Sequence, residues 1–119
     1  MASKDDLGRR GEDLAAEYLQ GRGLQVLDRN WRCREGELDI VATNSLDTVV
    51  FCEVKTRSGV GYGTPIESVT IAKRRRLRRL SQLWLAGTGV RSSLVRFDVI
   101  GILWPPLAEP EIHHVEDAF

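Results

Sequence analysis

The sequence predicts an α/β protein in which a mixed β-sheet is flanked by helices. Two stretches, near 7–20 and 65–86, carry apolar residues at three- and four-residue spacing, as amphipathic helices do. Five shorter stretches are alternating or continuously apolar, as strands are. The second helix separates two of these strands, which favours a parallel pair joined by a right-handed crossover. The predicted order of elements is therefore α-β-β-β-α-β-β.

The composition narrows the class of protein. A chain of 119 residues fits one domain spanning 1–119, and 42% hydrophobic and 29% charged residues are ordinary globular values. The formal net charge is zero, so bulk charge does not indicate a nucleic-acid or membrane partner. No apolar run approaches membrane-spanning length, and none opens the chain as a signal sequence. Cys33 and Cys52 fit free thiols in a reducing compartment better than a disulfide, so we expect a cytoplasmic protein without a membrane partner.

The first helix is predicted to begin at a capping Asp5 or Asp6 and to end near Gln20, before two glycines. Glu12 lies one position off the apolar stripe of this helix and borders the core. It is either a solvated acid or an acid directed at the sheet, and periodicity does not decide between the two. The stripe itself is expected to contain Leu7, Gly11, Leu14, Ala15 and Tyr18.

A hairpin with charges at alternate positions follows a first strand at 24–31. Its strands are expected at 36–41 and 49–55, joined by a loop at 44–48. Leu38 and Ile40 are predicted on one face, since residues two apart share a face. The other face is predicted to carry Glu37, Asp39, Val41, Val49, Phe51, Glu53 and Lys55. Charges on otherwise apolar strands are rarely buried without a counter-charge or a bound ion.

The length of the hairpin loop predicts a register in which Asp39 lies opposite Glu53, and Glu37 opposite Lys55. Like charges directly opposite on a sheet are destabilising, so Asp39 and Glu53 need a cation between them. Carboxylate oxygens suit Mg²⁺ or Mn²⁺. Lys55 on the same face can position a water molecule or stabilise charge that develops at phosphorus. The alternative is that Lys55 forms ordinary ion pairs with Glu53 and with Glu37 on an exposed sheet face.

The second helix is predicted to begin at a capping box, with Thr64 as N-cap, Pro65 at N1 and Glu67 at N3, and to end near Gly87. Lys73 falls in the middle of its apolar stripe. Its ammonium either reaches past the core to water or approaches the carboxylates of the sheet. The stripe is expected to contain Ile66, Val69, Leu77, Leu80, Leu83 and Trp84.

A set of arginines is predicted on the outer side of the second helix, with one more after the hairpin. A basic helical face is most often simply solvated, but beside a nuclease site it becomes a surface that binds phosphates. The candidate nucleic-acid-binding residues are Arg57, Arg74, Arg75, Arg78 and Arg79. A net charge of zero tempers the affinity that we expect.

Asp39 together with Glu53-Val54-Lys55 resembles the PD-(D/E)xK nuclease signature, although Leu38 stands where a proline is usual. The chain as a whole resembles the YraN-type family of small endonuclease-like proteins. The segments that carry this resemblance are 8–12, 28–30, 36–40, 51–57 and 96–100. The fold that it implies is a restriction-endonuclease-like core, similar to that of archaeal Holliday-junction resolvases.

The resemblance implies phosphodiester hydrolysis that depends on Mg²⁺ or Mn²⁺. It makes Asp39, Glu53 and Glu12 metal ligands and Lys55 the catalytic lysine. The supporting residues would be Glu37 and Lys73. We therefore predict a DNA endonuclease of the resolvase-like type, for which a homodimer would enlarge the basic surface and suit branched DNA. The alternatives are an inactive nucleic-acid-binding module and a protein-interaction scaffold with the same fold.

Overall fold

The computed structural model describes residues 4–59 and 66–119 and contains a five-stranded mixed sheet with an α-helix against each face. This confirms the predicted α/β class and the order of its elements. The helices and strands are α1 (Lys4–Gly21), β1 (Gln25–Cys33), β2 (Gly36–Thr43), β3 (Thr48–Arg57), α2 (Ile71–Thr88), β4 (Leu94–Leu103) and β5 (Glu111–Val115), with a 3-10 turn at Ile66–Ser68.

The strands lie in the sheet in the order in which they occur along the chain. Neighbouring strands are antiparallel except for β3 and β4, which are parallel and are joined through α2, as predicted. Thr43 lies opposite Val49 and Ile40 lies opposite Cys52. This is the register that a loop at 44–48 predicts, so that part of the hairpin prediction is confirmed.

The two faces of the sheet carry separate hydrophobic clusters, one for each helix. On one face α1 buries Ala15, Ala16 and Leu19 against Ile40, Cys52, Ile100 and Ile102. On the other face α2 buries Leu77, Leu80 and Trp84 against Leu38, Val41, Val49, Phe51, Phe97 and Val99. The stripe predicted for the second helix is confirmed at Val69, Leu77, Leu80 and Trp84. The stripe of α1 is confirmed only in part, since Ala16 and Leu19, which it did not include, are buried beside Ala15.

Gly11 lets α1 approach β3 closely. A Cβ atom at this position would collide with the side chain of Thr56. Only glycine leaves room for this contact without a shift of the helix. The close approach also brings the next residue, Glu12, toward the sheet.

The beginning of α2 differs from the prediction. Residues Ile66–Ser68 form a 3-10 turn, and α2 begins at Ile71 with Thr70 as its N-cap. The Thr70 hydroxyl oxygen accepts a hydrogen bond from the Lys73 backbone N–H at 3.2 Å, so the prediction that this helix begins near Pro65 is wrong. Thr64 and Pro65 lie outside the described residues. A second threonine six residues downstream takes the cap, which the local pattern did not distinguish.

The face assigned to Leu38 was also wrong. Leu38 packs with Val41 in the cluster under α2, whereas Ile40 packs under α1. The described ladder between β2 and β3 ends at the pair of Ile40 and Cys52. Regular alternation along a strand depends on regular pairing, so it is lost where the two strands separate.

Two further observations concern the expected cellular setting. Cys33 and Cys52 are free thiols, as predicted. Across the described ranges, neither helix has both the length and the apolarity that a bilayer-spanning helix requires.

Candidate functional site

An open cleft of about 250 Å³ lies where β2 and β3 separate, under the first turns of α2. It combines acids from the hairpin with bases from the helix, so both signs of charge meet in it. The acids are Glu37, Asp39 and Glu53, the bases are Lys73 and Arg76, and the remaining wall is formed by Gly36, Leu77 and Leu80. The face predicted to carry functional carboxylates thus borders a cleft.

Asp39 lies just beyond the last described pair of the β2–β3 ladder, and its side chain, rather than a backbone carbonyl, accepts a hydrogen bond from β3. Its Oδ2 accepts a hydrogen bond from the Val54 N–H at 2.8 Å. Burial and then the negative charge of Glu53 raise the pKa of Asp39 to about 7, with smaller contributions from Glu12 and Glu37, while the Val54 bond opposes them. Near neutral pH this carboxyl therefore needs either a proton or a neighbouring cation.

Glu53 forms an ion pair across the cleft with α2. The Lys73 Nζ lies 2.7 Å from Glu53 Oε1. The Glu53 side chain is 12% exposed and that of Lys73 is 34% exposed, so the pair is partly shielded from water. The alternative left open by the sequence is thereby resolved, since Lys73 approaches the carboxylates.

Glu12 borders the site without lining the cleft. Its Oε1 lies 3.4 Å from Nη2 of Arg29, whose stronger contact is with Asp13 at 2.6 Å. Burial raises the pKa of Glu12 despite the opposing charge of Arg29, and Asn30 also donates a hydrogen bond to it. The Glu12 side chain is 13% exposed, so it is directed at the sheet rather than solvated.

Lys55 and Glu37 do not meet as the extrapolated register suggested. Lys55 is exposed and does not line the cleft. Glu37 lies opposite Arg32 of β1 and forms an ion pair with it at 3.0 Å. The ordinary surface pairs considered as the alternative, with Lys55 as the partner of Glu37 and Glu53, are therefore not the pairs that form.

The arginines of α2 do not form one uniform surface. Arg74 lies over the ring of Phe119 at 5.5 Å, and Arg78 lies over Phe97 at 5.1 Å. Arg79 contacts Glu35 at 3.3 Å, and Arg75 is exposed. Part of the predicted phosphate-binding set therefore has partners within the protein, as arginine over an aromatic ring commonly does. Arg57, at the end of β3, is half-buried.

Arg76 is a cleft residue that the sequence interpretation did not select. It follows Lys73 by three positions and precedes Leu80 by four, and all three residues line the cleft. Helical spacing places such positions on one face, so the same periodicity that singled out Lys73 could have identified Arg76.

Asp98 forms a second acidic centre, on β4. It is fully buried and accepts two hydrogen bonds from Arg96 at 2.8 and 2.9 Å and one from the Asp117 N–H at 3.0 Å. His114 Nε2 lies 2.7 Å from the same carboxylate, and His114 Nδ1 lies 3.0 Å from the Tyr18 hydroxyl. Burial raises the pKa of Asp98, but the hydrogen bonds from its three partners hold it below the usual value.

Asp39 and Glu53 are the side chains best suited to hold a divalent ion. Mg²⁺ is commonly bound by one or two carboxylates together with water and substrate phosphates, and these two carboxylates repel one another without a cation. Within residues 4–59 and 66–119, no three acidic, histidine or cysteine side chains are gathered as a metal-binding group. With two carboxylates, an ion held here would take its remaining ligands from water or substrate phosphates.

The structure defines an α/β protein whose sheet borders a cleft with three acidic side chains, beside a basic helix. The chain belongs to the uncharacterised protein family UPF0102, whose model matches residues 11–102, and this confirms the predicted YraN-type family. A UPF0102 protein of Clavibacter michiganensis is 52% identical over 118 residues, covering 99% of both chains. One from Mycobacterium ulcerans is 56% identical over 110 residues, covering 92% of this chain and 90% of the relative.

Among solved structures, the chain resembles a Holliday junction resolvase from Archaeoglobus fulgidus. The TM-score is 0.48 at 20% sequence identity, and the match covers 89% of this chain and 75% of the resolvase.

Proposed function

We propose that this protein is a metal-dependent endonuclease that hydrolyses phosphodiester bonds of DNA in the cleft between the hairpin and α2. The observation that carries the proposal is the meeting of Asp39 and Glu53 in one cleft with two cationic side chains. Paired carboxylates suit a divalent ion, and lysine and arginine suit the phosphate that the ion would polarise. The raised pKa of Asp39 is the mark of a carboxyl that lacks its counter-charge.

Asp39 and Glu53 would hold Mg²⁺ or Mn²⁺. When bound, the ion would supply polarisation of the phosphate and a more acidic water molecule. The Val54 N–H keeps one oxygen of Asp39 in place, so the carboxyl is oriented by the backbone of the neighbouring strand. Glu12 would act as an additional ligand or would orient water, for which its contact with Arg29 has to loosen.

Lys55 and Arg76 would contact the substrate rather than the ion. Lys55 follows Glu53 by two positions on β3 and is exposed, so its ammonium is accessible to a phosphate of the substrate. It would orient the attacking water or stabilise the charge that develops on the phosphate. Arg76 lines the cleft and would hold a non-bridging oxygen. Glu37 would support the site from its edge.

The basic residues of α2 would bind the DNA backbone. Arg75 is the exposed arginine most clearly available to phosphates, with Arg79 beside it in contact with Glu35. Arg57, Arg74 and Arg78 complete the proposed set at its margins. Because such contacts release counter-ions, binding should weaken steeply as salt is raised.

The test is cleavage of linear, nicked, flapped and four-way DNA with Mg²⁺ or Mn²⁺. We expect Asp39→Asn, Glu53→Gln and Lys55→Met each to lower the rate by roughly 100-fold or more, as the loss of a group that acts on developing charge commonly does. Glu109→Gln is the matched control, since Glu109 is an exposed acid away from the cleft. Cleavage that persists unchanged in the three site variants would assign it to a contaminant or to another site.

A nucleic-acid-binding module without turnover is the second candidate. The observation in its favour is the ion pair between Lys73 and Glu53, which neutralises a proposed metal ligand with a side chain of the protein. This candidate predicts salt-dependent DNA binding that survives Glu53→Gln, is weakened by Arg75→Gln, and is accompanied by no cleavage of any substrate in the panel.

A further inference from the structure

The ion pair between Lys73 and Glu53 unites a proposed metal ligand with a cation of the protein itself. Their atoms are 2.7 Å apart, the distance of a charge-assisted hydrogen bond. Both side chains line the cleft that also contains Asp39. Among the described residues, Glu53 forms its ion pair with Lys73.

The position of Lys73 is set by the first turn of α2. Its backbone N–H is bonded to the capping hydroxyl of Thr70, and Leu77, one turn later, is buried in the core. The main chain is therefore held while the long side chain, 34% exposed, retains access to water. The ammonium can leave Glu53 by rotations of its own side chain, without movement of the helix.

The pair of Lys73 and Glu53 does not neutralise Asp39, the other carboxylate of the proposed metal site. Glu53 is paired with the Lys73 ammonium and Glu37 with Arg32, whereas the hydrogen bond described for Asp39 comes from the uncharged N–H of Val54. Arg76 also lines the cleft, but no ion pair between it and Asp39 is described. A divalent cation would supply positive charge next to both Asp39 and Glu53. It would also repel an ammonium bound to the same carboxylate.

We propose that Lys73 is an internal counter-ion that competes with the divalent metal for Glu53, so that metal binding displaces the lysine from the carboxylate. This inference rests on the proposed metal site and adds a control of its occupancy. The displaced ammonium stays beside Arg76 at the cleft, where a phosphate can bind it. Metal and phosphate would then favour each other's binding. The metal would release the Lys73 ammonium for the phosphate, and the phosphate would hold that ammonium away from Glu53.

The experiment is Mn²⁺ binding to the whole chain, measured by calorimetry and by the electron paramagnetic resonance signal of free Mn²⁺, without DNA. We expect Lys73→Gln to bind Mn²⁺ roughly tenfold more tightly than the wild type, the scale on which a partly buried ion pair acts. Arg75→Gln is the matched control, since it removes one positive charge from an exposed position of the same helix. Its effect should be clearly smaller. Asp39→Asn in the Lys73→Gln background should abolish the tight binding.

The outcomes separate this inference from the proposed function. Binding that depends on Asp39 but is equal or weaker in Lys73→Gln overturns the competition and leaves the metal site standing. An equal gain in Lys73→Gln and Arg75→Gln also overturns it, because bulk charge would then explain the effect. If no variant binds Mn²⁺ through Asp39, the metal site itself fails, and the inference fails with it.

A measurement on the wild type keeps the test independent of any variant that folds poorly. The Lys73 ammonium, held in a short ion pair, should give a slowly exchanging nitrogen-15 signal by NMR. Titration with Mg²⁺ should remove that signal. A signal that persists when Mg²⁺ is bound would overturn the displacement.

Discussion

Asp39 and Asp98 are two aspartates embedded in the same sheet, and their surroundings could hardly differ more. Asp98 is fully buried and is bonded by Arg96, His114 and a backbone N–H. Among the described residues, Asp39 accepts a hydrogen bond from one backbone N–H and has a second carboxylate, Glu53, as its neighbour. The pKa of the first is lowered by its donors, and that of the second is raised to about 7 by burial and by Glu53.

The difference distinguishes Asp98, a carboxylate that stabilises the fold, from Asp39, a carboxylate for which no opposite charge is described. Buried charge is tolerated when hydrogen bonds and an opposite charge satisfy it, and Asp98 meets that condition internally. Asp39 does not meet it through its described contacts, and in the proposed function a divalent ion would satisfy it. The two are the same residue type in the same sheet, and their hydrogen-bond donors distinguish them.

The largest effect that this comparison predicts is on stability. Asp98→Asn should lower the free energy of unfolding by about 3–5 kcal/mol, because the buried partners of the carboxylate lose their counter-charge. Asp39→Asn should cost little, since the amide oxygen can still accept the Val54 N–H while the repulsion by Glu53 disappears. Urea unfolding at pH 7.5 measures both. Similar losses in the two variants would contradict the distinction.

The pH dependence of stability should run in opposite directions for the two acids. The folded pKa of Asp39, about 7, lies above the unfolded value near 3.8, so its stabilising contribution is complete below that lower value and is lost as pH rises through 7. Asp98 has a lowered pKa, so its contribution is present above its unfolded pKa and is lost in acid.

Asp39→Asn should therefore remove part of the decline in stability between pH 5 and pH 8, by about 1–3 kcal/mol. The measurement is the urea midpoint of wild type and variant at intervals across that range, without divalent ions. Parallel curves for the two proteins would show that Asp39 ionises normally. Added Mg²⁺ should flatten the wild-type curve if the cleft binds the ion.

The smallest effect concerns the outer edge of the Asp98 centre. Tyr18→Phe removes the hydroxyl that contacts Nδ1 of His114, which links α1 to β5. The remaining bonds to Asp98 are unchanged, so a loss of about 0.5–1.5 kcal/mol is expected. The urea midpoint at pH 7.5 again measures it. An unchanged urea midpoint would mean that the contact between Tyr18 and His114 does not contribute to stability.

Most of the fold could be predicted because its signals are local. The loop at 44–48 and the alternation on both sides of it define the register in which Thr43 meets Val49. The start of α2 could not, because two threonines, Thr64 and Thr70, offer comparable caps within six residues. Which threonine serves depends on how the helix docks on the sheet, and that docking is a tertiary property.

The candidate site was predictable in part for a similar reason. Asp39 and Glu53 come close together because the register holds as far as Ile40 and Cys52, the residues next to them in the sequence. The separation of β2 and β3 beyond Ile40 ends that register, so the extrapolation to Glu37 and Lys55 failed. The partner of Glu53 comes from a helix, and strand alternation carries no information about it.

The agreement between strand order and chain order has a consequence for how the protein folds. Strands β1, β2 and β3 can pair through two short hairpin connections within Gln25 to Arg57, whereas β4 reaches β3 only after the chain has passed through α2. Contacts between nearby residues cost less chain entropy to form, so the antiparallel meander should acquire structure before the parallel pair. Pulse-labelling hydrogen exchange would then find the amides of Val41 and Phe51 protected earlier than that of Val99. Asp39 and Glu53 would already be close together in a partly folded chain, before Lys73, the partner of Glu53, has arrived.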